Sequence, residues 1–395
     1  MNTELKNNTL KSLAKLLAEN RQQVIDANQR DIASCAVEDP VIYDRLKVDY
    51  KKITSMIVSI ENVIKLEEPV GKTITSYRHE NGLKIENKTV PFGTIFIIYE
   101  ARPDVTIEAA AIAFKAGNKI LLKGGKEARN TNLFLIELWH KSLALNNLEK
   151  DYVLYLDISR EETQKFIQEN KKKFDLIIPR GGEALINFVV KHSTVPVIIS
   201  GRGNNFLYID SEADFDMAAK IVLNGKQRLS VCNALDKVLI NNKIPDIDTK
   251  LDTLIKALLD NKLTIIGDST ICKLNNEIKP IADESAWYEE FLSAKILVAM
   301  VPDVNEAIAI INTYSGGHSA SIVTANEKKA QKFLHEVDCA AVYHNASIRF
   351  TDGGEFGLGA EIAISTQKLH FRGPLGSDRL VTNKWLVHGE GQVRM

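Results

Sequence analysis

TIFIIYEARPDVTIEAAAIAFKAGNKILLK, residues 94–123, holds a complete strand–helix–strand unit. TIFIIY (94–99) is a short apolar run rich in β-branched residues and predicts a buried strand. Pro103 then opens an Ala-rich helix that stops at Gly117, the proline-start and glycine-stop asymmetry of helices. KILLK (119–123) is the next strand. The same alternation runs on toward the C-terminus. Gly124-Gly125 precede a helix through Leu133–Leu145, and YVLYLD (152–157) precedes a helix whose start, Ser159 to Glu162, fits a capping box. FDLIIPR (174–180), the helix GGEALINFVVKHS (181–193) and the strand VPVIIS (195–200) continue it. Strands and helices alternating in this way predict a doubly wound parallel sheet.

On the N-terminal side, residues 3 to 69 read as helical, with Leu10, Leu13, Leu16 and Leu17, then Ile53, Met56, Ile57 and Ile60, at helical spacing. Between helices and sheet, ITSYRHENGLKIENKTV (74–90) centres on Asn81-Gly82, a strong hairpin signal. A hairpin so placed lacks a core of its own; it is either a projecting arm or an ordinary surface hairpin. After Cys232 a second series begins. KVLI (237–240), a helix near Asp248–Asp260, LTIIGD (263–268), KILVAMV (295–301), VNEAIAIINTYS (304–315), SASIVT (319–324), the helix Glu327–Val337 and CAAVYHN (339–345) predict a second α/β domain. No internal repeat or low-complexity segment stands out.

Composition narrows the function. The 395 residues are 45% apolar and 26% charged, as in ordinary globular proteins, and 50 basic against 51 acidic residues give no global attraction to nucleic acid or an anionic membrane. The N-terminus, MNTELKNNTLKSLAKLLAEN, lacks the apolar core of a signal peptide, and the longest apolar runs are too short to span a bilayer. Cys35, Cys232, Cys272 and Cys339 form neither a disulfide framework nor a zinc spacing, and no histidine has a partner at metal-ligand spacing. A reducing, cytoplasmic setting is expected, with no metal.

No G-x-G-x-x-G follows a predicted strand. Three predicted strand ends carry glycine beside a basic residue: Lys123-Gly124-Gly125, Arg180-Gly181-Gly182 and Gly201-Arg202-Gly203. Each is either a tight turn or a place where backbone N–H groups and a helix N-terminus approach a phosphate. Cys232 lies where the first series gives way to the second, four residues after Arg228, and a cationic neighbour lowers a thiol pKa. The alternative is a buried structural cysteine; Cys35, Cys272 and Cys339 are read that way. Residues 345–366 pack Gly353, Gly354, Gly357 and Gly359 among polar and aromatic residues beyond a strand, the composition of a binding loop or of a passive irregular one. His318, after Gly316-Gly317, is the one histidine in a suggestive loop.

At these residues the sequence resembles the gamma-glutamyl phosphate reductase family of the aldehyde dehydrogenase superfamily. The resemblance rests on IIYEARPDVTIEAA (97–110), AGNKILLKGGKEA (116–128), LIIPRGGEALI (176–186), QRLSVCNAL (227–235), SGGHSASIVT (315–324), NASIRFTDGGEFGLGAEIAISTQKLHFRGPLG (345–376) and GEGQVR (389–394). It implies an aldehyde-dehydrogenase-like α/β fold. Residues 1–72 and 91–228 would form an NADP-binding domain, 229–375 a catalytic domain, and 73–90 with 376–395 an oligomerisation arm. It implies reduction of gamma-glutamyl phosphate to glutamate 5-semialdehyde by NADPH, with Cys232 as nucleophile and N–H groups at Cys232 and Asn233 for the oxyanion. Lys123, Gly124, Gly125, Arg180, Gly181, Gly182 and Glu289 would hold NADP(H), and Arg102, Asn345, Ser347 and Arg349 the substrate. The partners so implied are further copies of the chain and glutamate 5-kinase.

The chain also departs from the family pattern. Arg-Pro-Gly-Val-Cys becomes Arg228-Leu-Ser-Val-Cys232, Gly-Asn-Cys-His becomes Gly203-Asn204-Asn205-Phe206, and Arg-Pro-Asn-Val becomes Arg102-Pro-Asp104-Val105. Two other readings stay open: a hydrolytic aldehyde dehydrogenase, which needs a carboxylate base that VIISGRGNN (197–205) does not offer, and a non-catalytic scaffold of the same fold.

Overall fold

The structure, a computed structural model, describes residues 1–34, 40–170 and 173–394; the expectation for Cys35 lies outside these residues. The chain forms two compact units, Met1–Ile199 with Gly357–Ala363 and Pro374–Met395, and Ser200–Phe356 with Ile364–Gly373.

The first unit opens with helices α1 (Thr3–Glu19), α2 (Arg21–Ser34), α3 (Pro40–Leu46) and α4 (Tyr50–Lys65). Asn2 and Asp49 cap α1 and α4 by accepting the Leu5 and Lys52 N–H groups, each at 2.8 Å. The predicted stripes are buried: Leu10, Leu13 and Leu17 on α1, and Ile53, Met56 and Ile60 on α4. The sheet follows as β3 (Thr94–Tyr99), α5 (Val105–Lys115), β4 (Lys119–Lys123), α6 (Arg129–Leu145), β5 (Val153–Tyr155), α7 (Arg160–Glu169), β6 (Leu176–Arg180) and α8 (Glu183–His192). Its order is β5-β4-β3-β6, all parallel. The chain steps outward through β4 and β5 and then returns to the other side of β3, so the topological switch lies between β3 and β6. Helix α5 is buried nearly all round, which its run of alanines permits. It ends before Gly117, whose φ of +79° suits glycine.

The hairpin is present as β1 (Thr73–Arg78) and β2 (Lys84–Pro91), and the C-terminal strand Val381–His388 pairs antiparallel with β2. Register puts Tyr77, Ile85 and Val387 abreast, and Thr75, Asn87 and Trp385 abreast on the same face. The opposite face carries Glu86 between Lys84 and Lys88, at 3.1 and 3.4 Å.

The second unit contains β7 (Asn205–Ile209), α9 (Phe215–Gly225), β8 (Leu235–Asn241), α10 (Ile247–Asp260), β9 (Thr264–Gly267), β10 (Lys279–Pro280), α11 (Ser285–Tyr288), β11 (Lys295–Val301), α12 (Val304–Tyr314), β12 (Ser319–Val323), α13 (Glu327–Glu336) and β13 (Ala341–His344). Among the described residues its parallel sheet has the order β10-β9-β11-β8-β7-β12-β13. Period-two alternation covers both faces. Leu207, Ile209, Val238 and Ile240 pack with α9 and α10, while Phe206, Tyr208 and Leu239 pack with α12 and α13.

The fold class is as expected, but the boundary between the units is not. It falls at 199/200 rather than 228/229, and 357–363 belong with the first unit rather than the second. The cause is β7, which pairs with β8 and β12 and so draws residues 205–228 into the second sheet. VPVIIS is not a strand; it makes isolated bridges at Val197 and Ser200 only. Pro196 has no N–H to extend a ladder there. Gly201-Arg202-Gly203 is therefore not a strand end of the first sheet but a loop leading into β7. Among the described residues no helix is long and apolar enough to cross a membrane.

Candidate active site

Ala234 N donates to Val231 O at 3.1 Å, closing a turn with Cys232 and Asn233 at its centre. Cys232 is half-buried and in no disulfide. Cys339 behaves differently: it sits in the core, where burial pushes its thiol up to about 11. Cys272 packs against the other core face, with its Sγ 3.3 Å from Gly267 O. Cys339 is buried as read, whereas Cys272 is only half-buried.

Three loops meet backbone to backbone at this turn. A Cβ on Gly203 would lie 1.9 Å from Cys232 O, and one on Gly316 would lie 2.0 Å from Arg202 O. Glycine at both positions permits this close approach. The loops precede β7, β8 and β12, so the cysteine sits at the amino edge of its sheet. Ligands of open parallel sheets usually bind at the carboxyl edge; strand direction alone would have misplaced this site.

Asn233 is buried, and its Nδ2 donates to Arg349 O and Thr351 O, each at 3.1 Å. Its side chain thus ties the cysteine turn to the loop of Arg349, and its N–H, not its carboxamide, is the group left for an oxyanion. Arg349 is half-buried, and its Nη1 is a buried donor without a partner among the described residues. Burial and then the Arg228 guanidinium hold Arg349 below its ordinary pKa, while Cys232 and Asp352 oppose them. Two guanidinium groups and the thiol are therefore within electrostatic reach of one another. Ser347 is buried and donates to Asn224 Oδ1 at 2.6 Å while accepting the Arg349 N–H at 3.2 Å. Asn345, at φ +54°, has both ends of its amide on the Thr324 backbone, at 3.0 and 3.1 Å. These two shape the loop; Arg349 is the member with unused hydrogen-bonding capacity. For Arg228 the sequence carries no signal beyond its proximity to Cys232 along the chain.

Glu289 belongs to the second unit, as these residues do. Its carboxylate lies 3.7 Å from Lys295 Nζ, and its carbonyl accepts from the buried Lys237 Nζ at 2.7 Å. Burial brings that lysine down to about 7.

The other expected residues lie in the first unit. Lys123 ends β4, and its Nζ donates to Gly124 O at 2.6 Å. With Gly124, Lys126, Arg129, Tyr155 and Asp157 it lines a cleft of about 330 Å³ at the carboxyl ends of β4 and β5. A Cβ on Gly124 would meet the Asn132 amide at 2.2 Å, and one on Gly125 the Glu127 carboxylate at 2.0 Å, so those side chains lie close against the turn. Arg180 ends β6, and Gly182 caps α8. The Gly182 N–H already donates to Glu100 Oε2 at 2.9 Å, so a carboxylate of the chain itself holds the anion position at that helix start. A cofactor phosphate there would have to displace it. The Lys123 side thus fits a phosphate-bearing ligand, and the Arg180 side fits one less well than its sequence implies.

Arg102 is engaged with Asp104, Nη2 to Oδ2 at 3.1 Å, and Lys52 Nζ lies 3.9 Å from Oδ1. Burial would raise Asp104, but Arg102 and Lys52 outweigh it and hold the carboxyl below its usual range. Burial and then the Asp104 charge lift Glu108 to about 7. A carboxyl at about 7 when folded and about 4.3 when unfolded binds its proton more tightly in the native state, so stability declines as pH rises through that window. Glu108→Gln is expected to flatten the decline and stabilise the protein at pH 8 by on the order of 1–2 kcal/mol relative to pH 5. Thermal unfolding of both proteins at the two pH values measures this; identical pH dependence would refute it.

The sequence model of the aldehyde dehydrogenase family matches residues 1–269 and 279–359. A gamma-glutamyl phosphate reductase of Clostridium beijerinckii is 44% identical over 99% of this chain and 95% of its own length. One from Carboxydothermus hydrogenoformans is 42% identical over 100% of this chain and 95% of its own. The crystal structure of gamma-glutamyl phosphate reductase from Thermotoga maritima is similar with a TM-score of 0.93 at 40% identity, covering 100% of this chain and 95% of that one. An acetylating aldehyde dehydrogenase from Geobacillus thermoglucosidasius, at 15% identity and a TM-score of 0.73, shares the fold alone. By fold and by sequence along nearly its whole length, the chain belongs to the aldehyde dehydrogenase family and, within it, to the gamma-glutamyl phosphate reductases.

Proposed function

We propose that this protein reduces gamma-glutamyl phosphate to glutamate 5-semialdehyde and phosphate with NADPH, in the cytoplasm, as the second step of proline formation from glutamate. The observation that carries the reading is Cys232 at the centre of a half-buried turn, within electrostatic reach of Arg349, whose buried Nη1 has no partner among the described residues. A soft nucleophile beside an unfilled cationic donor suits an anionic acyl donor.

The Cys232 thiolate attacks the acyl carbon; the S–C bond forms, the C–O bond to phosphate breaks, and phosphate departs with the electron pair. Arg349 and Arg228 bind the substrate's anionic groups, and the Asn233 N–H stabilises the oxyanion. Phosphate is a good leaving group, so no strong acid is needed beside it. NADPH supplies the hydride that reduces the thioester. Its phosphates fit the cleft lined by Lys123, Lys126 and Arg129, where three cations face the single carboxylate of Asp157 and Gly124 leaves backbone accessible. Cys232 then leaves the product carbon as thiolate, ready for another cycle.

One observation speaks for hydrolysis instead. Glu290 brings a carboxylate to the Gly203 N–H, at 2.9 Å, on the loop that abuts Cys232. That oxygen is already committed to a main-chain donor of the loop rather than to a water. The assay that decides is NADP reduction by glutamate 5-semialdehyde. It should require inorganic phosphate and run faster with NADP than with NAD; undiminished turnover without phosphate would establish the hydrolytic reaction.

The protein works as a homo-oligomer through its antiparallel sheet, whose outer face exposes Tyr77, Trp385 and Val387 at 48%, 54% and 54%. Trp385→Glu combined with Tyr77→Glu is expected to leave a smaller species by light scattering; an unchanged mass would move the interface elsewhere. Glutamate 5-kinase is the natural partner, because its acyl phosphate product is short-lived in water. Retention of that kinase on the immobilised protein tests this, and no retention would remove it.

A further inference from the structure

We propose that Asn205 is a positioning residue for the nucleophile, holding the Cys232 turn so that the Asn233 N–H is aimed at the reacting oxygen. The inference rests on the reading of Cys232 as nucleophile. Asn205 is fully buried at the start of β7. Its Nδ2 lies 2.7 Å from Cys232 O, 2.7 Å from Ala234 O and 2.8 Å from Gly203 O, so its two N–H bonds are shared among three carbonyls. Its Oδ1 accepts the Ser319 N–H at 3.0 Å. That bond fixes the amide orientation, since the flipped carboxamide would set an oxygen against all three carbonyls.

The consequence follows from peptide geometry. In a planar trans peptide the carbonyl and the next N–H point in opposite directions. Clamping Cys232 O toward Asn205 therefore turns the Asn233 N–H away from Asn205. The clamp is itself braced. Ser319 Oγ lies 2.8 Å from His318 Nδ1 and 2.7 Å from Thr351 Oγ1, and Tyr343 OH lies 2.7 Å from Thr351 Oγ1. Thr351 O accepts Asn233 Nδ2 at 3.1 Å, which returns the circuit to the cysteine turn. His318 is pushed down to about 4 by burial and so stays neutral through the physiological range. Among the described residues His318 Nε2 and Asn233 Oδ1 have no partner, while the bonds through Asn205, Ser319, Thr351 and Asn233 Nδ2 close the circuit and hold the turn.

The test compares wild type with Asn205→Asp, which keeps the shape but replaces the donor with oxygen, and with Asn205→Cys. Active sites are titrated by the pre-steady-state burst of NADPH formed from the semialdehyde and NADP, and kcat is expressed per titrated site. Asn205→Asp is expected to lose roughly a hundredfold in kcat, the scale of a misplacement of about 1 Å, with KM for the semialdehyde changed less than about threefold. Asn205→Cys should lose roughly tenfold, and it decides the matter should the aspartate variant fail to fold. A merely structural role would lower the number of titrated sites and leave kcat per site unchanged. That result in either folded variant overturns the proposal. Turnover by Cys232→Ala would instead sink the nucleophile reading, so the two failures are distinguishable.

Discussion

Cys232→Ala should abolish turnover, by at least about 10⁴-fold, while leaving NADP binding and the thermal midpoint nearly unchanged. The expectation rests on how the turn is held. Val231 O, Ala234 N, Gly203 and the carboxamide of Asn233 fix it through main-chain positions, so removing one half-buried sulfur takes away the nucleophile and little else. Cys272 and Cys339 cannot substitute, the latter because burial keeps it protonated. Steady-state rates with a fluorescence titration of NADP check both halves. A variant within tenfold of wild type would rule out covalent catalysis at this residue.

The second large effect is expected at Arg349. Its buried Nη1 has no partner among the described residues, and Arg228 adds a like charge nearby; this arrangement is costly without an anion and favourable once one enters. Arg349→Ala should cost roughly 10²–10³-fold in kcat/KM, about 3–4 kcal/mol of transition-state binding, with folding stability equal to wild type or slightly higher. Arg349→Lys should recover only part, because an ammonium cannot pair bidentately. The bond from Asn233 Nδ2 to the main-chain Arg349 O survives both changes, so the loop keeps its place. An unchanged kcat/KM in the alanine variant would remove Arg349 from the site.

Much of the fold is legible in the sequence because β-branched runs with glycine or proline at their ends have few other readings. TIFIIY, KILLK and KILVAMV became β3, β4 and β11 with the expected bounds. The error at 195–209 has a local cause. VPVIIS is the more apolar run, yet Pro196 limits it to bridges, while the strand that forms begins with Asn205, a residue that strands disfavour. Asn205 is there for its bonds to three carbonyls, which come from residues 203 to 234 and are invisible to periodicity. The candidate site divides the same way. The glycine-rich loop is marked by composition and Cys232 by the family resemblance, whereas the distinction between Asn345 and Ser347, committed to hydrogen bonds of their own, and Arg349, with a donor to spare, depends on contacts across the fold.

The most direct measurement is a rapid mixing of the protein with glutamate 5-semialdehyde and NADP in the absence of phosphate, followed by mass spectrometry. The expected result is a burst of one NADPH per active site, arrest, and a glutamyl adduct on the peptide containing Cys232 that phosphate then releases. Continued turnover without phosphate, or a burst with Cys232 unmodified, would contradict the account.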